Sequence, residues 1–223
     1  MHSGYYSTND TKGFTLIEIL VAIALSGIVL VVLGQFFIST NKTYSIQEKV
    51  AGNQQGIRAA MEMMTRDIRM AGLDPAGSAG DAGFRDNGND DDDTDANSIA
   101  IAYDYFDDST PPNPESDGDC NDDGEYICYS FDSANERIMW KVSNDGGTSW
   151  QVGSLTPDGT IASMDFEYTL ADGTTAADPS GSLGDIRTVT ITICGQISGA
   201  YADSSEGLNA EHCFSNIVKC RNM

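Results

Sequence analysis

A chain of 223 residues with formal net charge -22, only 12 Lys and Arg against 34 Asp and Glu, lacks the basic surface that phosphate neutralisation requires. Nucleic-acid binding is therefore excluded as its function. Two histidines, His2 and His212, and no Gly-x-Ser-x-Gly or His-Glu-x-x-His pattern leave hydrolytic chemistry without a base or a metal set, so an enzyme is not expected.

The first predicted element opens with Gly13-Phe14-Thr15-Leu16-Ile17-Glu18-Ile19-Leu20-Val21-Ala22 and stays apolar to about Ile38. At about 1.5 Å of rise per residue, such a helix is long enough to cross the hydrocarbon core of a bilayer. Glu18 interrupts it. A lone charge at the middle of a spanning helix costs roughly 2.5 to 3.5 kcal/mol, less near the interface, so this carboxylate calls for a partner. A secretory signal would place its small-residue cleavage site after the apolar region, whereas here Lys12-Gly13 precedes it.

Glycine, then phenylalanine, then glutamate five places on resembles the type III signal of type IV pilins and pseudopilins. The resemblance implies a leader of residues 1–13, removed by a prepilin peptidase between Gly13 and Phe14, and methylation of the new N-terminus. It implies further that Glu18 pairs with the N-terminal ammonium of a neighbouring subunit. The localisation that follows is a single pass of the inner membrane with the head outside the cytoplasm, then a pilus on the cell surface. Its partners are prepilin peptidase and other major and minor pilins through the N-terminal helix.

The helix should continue beyond Ser39 as an amphipathic element, because Ile46, Val50, Ile57, Met61, Met64, Ile68 and Ala71 recur at helical spacing. That stripe is expected to pack on the protein's own sheet. Glu62 with Arg66 forms an i,i+4 pair and Asp67 lies between two arginines, which reads as a solvated face worth a few tenths of a kcal/mol per pair. Gly72 followed by Asp74-Pro75 is a stop signal. The closing pattern Arg66-Asp67-Ile68-Arg69-Met70-Ala71-Gly72 and the ending Ile217-Val218-Lys219-Cys220-Arg221-Asn222 are similar to PilW-like minor pilins, and the first more loosely to J-type minor pseudopilins of type II secretion.

Residues 76–97 and 107–124 read as long loops rich in Gly, Asp, Asn and Pro. Between Asp74 and Asp132 there are 18 acidic residues and one basic residue, Arg85. Within this block Asp119-x-Asn121-x-Asp123-Gly124 matches the first half of a calcium loop, with Asp117 as a further carboxylate. The match fails at position twelve, where Ser130 stands for the bidentate Glu, so a solvated acidic turn competes with a calcium site. A second patch, Asn89, Asp91, Asp93 and Asp95, is less specific. Calcium is thus the sole candidate cofactor.

The rest of the head is predicted as antiparallel strands. Ile99, Ile101, Tyr103 and Tyr105 alternate with one buried face, and 126–131 and 137–142 join around Asp132-Ser133-Ala134-Asn135. The turn Asn144-Asp145-Gly146-Gly147 leads to Trp150; Met164, Phe166, Tyr168 and Leu170 alternate in the next strand. Residues 171–185 are loop, Ile186–Ile197 the most strand-like stretch, and Phe214–Arg221 the final strand. Trp140 and Trp150 are expected in the core.

Five cysteines, Cys120, Cys128, Cys194, Cys213 and Cys220, lie in the head, and an odd number leaves one unpaired or intermolecular. Across a strand, Cys213 and Cys220 would be roughly 23 Å apart, beyond disulfide reach. Cys194 can pair with either of them, and Cys120 can pair with Cys128 across a turn. The expected architecture is α+β: a type IV pilin fold, a long N-terminal helix packed on an antiparallel β-sheet head with long acidic loops. Its segments are 1–13 leader, 14–38 transmembrane or fibre-core helix, 39–73 amphipathic helix and 74–223 head. The expected function is that of a minor pilin involved in initiating or priming pilus assembly; a J-type pseudopilin or a calcium-dependent adhesive head on the same stalk are the alternatives.

Overall fold

The computed structural model describes residues 13–75, 77, 79–80, 82–86, 93–105, 118–122, 124–196 and 212–222. They fall into two compact units, one ending at Glu48 and the other beginning at Lys49. One helix, α1 (Leu16–Met70), carries the first 55 ordered helical residues. It ends at Gly72, whose φ of 73° is the left-handed conformation that an L side chain resists. The Leu73 N–H donates to the Met70 carbonyl at 2.8 Å and the Ala71 N–H to the Asp67 carbonyl at 3.1 Å, which satisfies the last turn.

Two antiparallel sheets form the rest of the second unit, where a single antiparallel head was expected in outline. The first has the order β1-β2-β3-β4-β5, with β1 Gly83–Phe84, β2 Ser98–Ala102, β3 Tyr126–Asp132, β4 Arg137–Ser143 and β5 Gln151–Ser154. The second has the order β7-β6-β8-β9, with β6 Ile161–Leu170, β7 Thr175–Ala176, β8 Ile186–Gly195 and β9 His212–Lys219. The predicted 171–185 loop thus contains β7, which pairs Thr169 with Thr175.

The alternation in β6 and β8 places Met164, Phe166 and Tyr168 against Val189, Ile191 and Ile193 on the inner face, all buried. They meet Ile57, Met64, Ile68 and Ala71 of α1 in the main core cluster. The predicted helix stripe is therefore the inner face of α1 over this stretch. Trp140 joins this core at its margin and Trp150 the second cluster. Tyr168 links the two sheets: its hydroxyl donates to the carbonyls of Asp95 at 2.8 Å and Ser98 at 3.1 Å.

Two expectations change here. All five residues of β2 are buried, where one buried face was predicted. Ile99 and Ile101 enter the main core, while Ala100 and Ala102 are small enough for a second cluster, with Ala79, Cys120, Tyr126 and Cys128, to cover the other face. Tyr105 lies beyond the strand and is exposed. The final strand begins at His212 rather than Phe214 because Cys194 and Cys213 face each other across β8 and β9 and are joined there.

Gly153 of β5 lies opposite Trp140, and a Cβ at that position would run into the indole ring. Gly153→Ala is expected to displace Trp140 and lower stability by about 1–3 kcal/mol. A thermal melt together with a changed tryptophan emission spectrum measures both effects.

Candidate assembly site

Thr15-x-x-Glu18 is a capping box, and the structure forms it in full. The Thr15 N–H donates to Glu18 Oε2 at 2.9 Å and the Thr15 hydroxyl to the same oxygen at 3.0 Å, while the Glu18 N–H donates to Thr15 Oγ1 at 3.3 Å. Glu18 is thus held at the N-terminus of α1, where the helix dipole favours negative charge. Sequence reasoning gave Glu18 a partner in another subunit and missed this local one, although the Ser/Thr-x-x-Glu spacing was readable.

From Phe14 to Ile38 every large apolar side chain is exposed, from 48% at Ile19 to 85% at Phe14. The most apolar 18-residue window has a mean hydropathy of 2.9, and none of it is buried. Hydroxyls within and just after this run are satisfied inside the helix: Ser26 donates to the Ala22 carbonyl at 2.7 Å and Thr40 to the Phe36 carbonyl at 2.8 Å. The segment is therefore an apolar cylinder with no partner among the described residues, suited to lipid or to other helices. A Cβ on Gly13 would meet nothing, so the fold places no demand for glycine there.

The C-terminal half of α1 carries a polar anchor that the sequence reading placed on the solvated face. Asp67 is 1% exposed. Its carboxylate accepts the Tyr129 hydroxyl at 2.5 Å and Arg66 Nε at 3.0 Å. The position is explained by spacing: residue 67 follows Met64 by three and precedes Ala71 by four, so helical geometry turns it inward. Arg66 reaches back to it while its own side chain stays 70% exposed. Burial and the Asp67 charge push the Tyr129 hydroxyl well above its ordinary value, and Tyr103, in the same cluster, up to about 12.

Of the tentative calcium residues, Asp119 and Asn121 are described; Asp117 and Asp123 lie outside the described residues, as do Asn89 and Asp91. The Asn121 N–H donates to Asp119 Oδ1 at 2.9 Å, and a Cβ on Gly146 would strike Asn121 Oδ1, so the Asn121 side chain lies against the β4–β5 turn. Among the described residues no three His, Cys, Asp or Glu converge as a metal set. The β4–β5 turn is held instead by Asp145, which accepts from the Ser149 hydroxyl and N–H and from the Ser143 hydroxyl; these hydrogen bonds hold its carboxyl down at about 2.

Cys194–Cys213 is the disulfide among the described residues, with a Cα–Cα distance of 4.0 Å. Cys120 and Cys128, offered as a pair across a turn, are both buried in the second cluster. Cys220 is also a buried thiol, pushed up to about 11 by burial, and remains protonated at neutral pH.

Tyr129→Phe should leave Asp67 short of one hydrogen bond and lower stability at pH 7 by about 1–3 kcal/mol. Tyr129 and Tyr103 are both raised above the ordinary 10.0. Their stabilisation is complete below pH 10 and falls as pH rises through Tyr103's value of about 12. Urea unfolding of the full chain in detergent at pH 7 and pH 11 should show that loss in the wild type and a smaller one in Tyr129→Phe.

Residues 8–34 match the prokaryotic N-terminal methylation motif, and residues 47–209 match the family described as prepilin peptidase-dependent protein B. No curated protein matches the chain. The motif and the exposed apolar helix make this a membrane-anchored pilin that ends in the pilus at the cell surface. With a long N-terminal helix, antiparallel sheets and a family match over most of its length, the chain belongs to the prepilin peptidase-dependent protein B family and has the α+β type IV pilin fold.

Proposed function

We propose that this chain is a minor pilin that initiates or primes type IV pilus assembly after prepilin peptidase cleaves between Gly13 and Phe14. Residues 1–13 are the leader, 14–38 the transmembrane and later fibre-core helix, 39–73 the amphipathic helix and 74–223 the head. The observation that carries this reading is the uncovered apolar run Phe14–Ile38 on the same helix whose later turns form the head's core.

Such a helix is stable in two surroundings, the bilayer and a bundle of like helices. Moving from one to the other requires that Glu18 be neutralised. Both hydrogen bonds from Thr15 end on Oε2, which leaves Oε1 to accept from a cation. In the reading proposed, that cation is the N-terminal ammonium of an adjacent subunit, and the capping box holds the carboxylate ready to receive it. Gly13, under no steric demand from the fold, is kept for the peptidase, and Phe14 becomes the methylated terminus.

Glu18→Gln retains the shape of the capping box and removes the charge, whereas Glu18→Ala removes both and costs the helix terminus about 1 kcal/mol. Both variants should be cleaved like the wild type and should be depleted at least tenfold from purified pili. Quantitative immunoblotting of membrane and pilus fractions measures this, and normal incorporation of Glu18→Gln would rule out charge pairing.

A further inference from the structure

A peptidase must reach the carbonyl and the N–H of the bond it cuts, and in a helix those groups are engaged with residues four places along the chain. Where α1 begins therefore matters to the Gly13–Phe14 bond. Gly13, Phe14 and Thr15 precede the helix, which starts at Leu16, and Phe14 is 85% exposed. The first helical backbone bond joins the Ile19 N–H to the Thr15 carbonyl at 3.3 Å, and among the described residues none ends on the carbonyl of Gly13 or Phe14.

That start is set by Thr15. Were the helix continuous, the Glu18 N–H would donate to the carbonyl four residues back, that of Phe14. It donates instead to Thr15 Oγ1 at 3.3 Å, while the Thr15 N–H donates to Glu18 Oε2 at 2.9 Å. Two donors that could draw the preceding residues into the helix are thus occupied. Packing takes no part, since a Cβ on Gly13 would meet nothing and Phe14 is uncovered. Local hydrogen bonding decides the matter, and at a membrane surface an N–H left without a partner is costly enough to be recovered by adding a turn.

We propose that Thr15 is a positioning residue for the peptidase: its hydroxyl, by accepting the Glu18 N–H, keeps the Gly13–Phe14 bond outside the helix and open to cleavage. This rests on the cleavage reading given above and adds to it the residue that presents the bond. The two halves of the capping box then have separate tasks. The carboxylate of Glu18 serves assembly and the hydroxyl of Thr15 serves the cut. Glu18→Ala keeps the backbone N–H of residue 18 and its bond to Thr15, which is why that variant is expected to be cleaved like the wild type.

The test incubates the full chain in detergent with a purified prepilin peptidase and times cleavage by intact mass. Thr15→Val keeps the branched shape without the hydroxyl, Thr15→Ser keeps the hydroxyl, and Thr15→Asn supplies an N-cap acceptor of different shape. Thr15→Val should be cut about fivefold more slowly, the factor that loss of one N-cap acceptor corresponds to, with the Ser and Asn variants within about twofold of the wild type. Recovery by Asn separates capping from recognition of the threonine's shape. In parallel, the NMR Cα shifts of Gly13 and Phe14 should move to helical values in Thr15→Val alone, and an unchanged thermal transition shows that the head is intact. A Thr15→Val chain cut at the wild-type rate, a Thr15→Asn chain as slow as Thr15→Val, or Cα shifts that do not move would overturn the proposal. A wild-type chain left uncut, or cut at another bond, would instead remove the cleavage reading on which it rests.

Discussion

One helix is asked to be two things. Its first half exposes seventeen large apolar side chains between Phe14 and Ile38, while its later turns supply a wall of the head's core. Each such side chain gains about 1.5–3 kcal/mol on leaving water, so leaving the run hydrated would cost tens of kcal/mol, more than a domain's whole net stability. Lipid or neighbouring helices are the surroundings that cover such a run. The assembly behaviour of the chain follows from this constraint more than from any feature of the head.

The head's task is then to hold the other end of the helix firmly. Apolar burial of Ile57, Met64, Ile68 and Ala71 supplies the attraction, which is not directional. Direction comes from polar contacts of known geometry. Asp67 with Tyr129 ties α1 to β3, and Asn53 Nδ2 donates to the carbonyls of Thr160 at 2.9 Å and Gln196 at 3.0 Å, tying it to the ends of β6 and β8. A buried carboxylate with a tyrosine and an arginine on it is costly to break and tolerates little rotation of the helix, so register is specified where the hydrophobic pattern alone would allow slip.

Much of this was legible in the chain. Helix extent, the Gly72 stop, the alternation of β6 and β8 and one of the two pairings offered for Cys194 all follow from period and spacing. What escaped was decided by contacts distant in sequence. Asp67 looked solvated because it stands between arginines, although its spacing from Met64 and Ala71 already turned it inward; the tyrosine that accommodates it is 62 residues away. The full burial of β2 could not be read from its alternation, because the cover on its second face comes from Cys120, Tyr126 and Cys128. Glu18 is assigned a partner in another subunit by its sequence, whereas the partner the structure shows is the nearer one, Thr15.

On the reading proposed, the exposed helix becomes a fibre element after cleavage between Gly13 and Phe14, and the N-terminus of the assembled subunit would record that cleavage. Intact-mass and N-terminal peptide analysis of the subunit taken from purified pili should show a chain beginning at N-methylated Phe14. A subunit incorporated into pili with residues 1–13 still attached would contradict it.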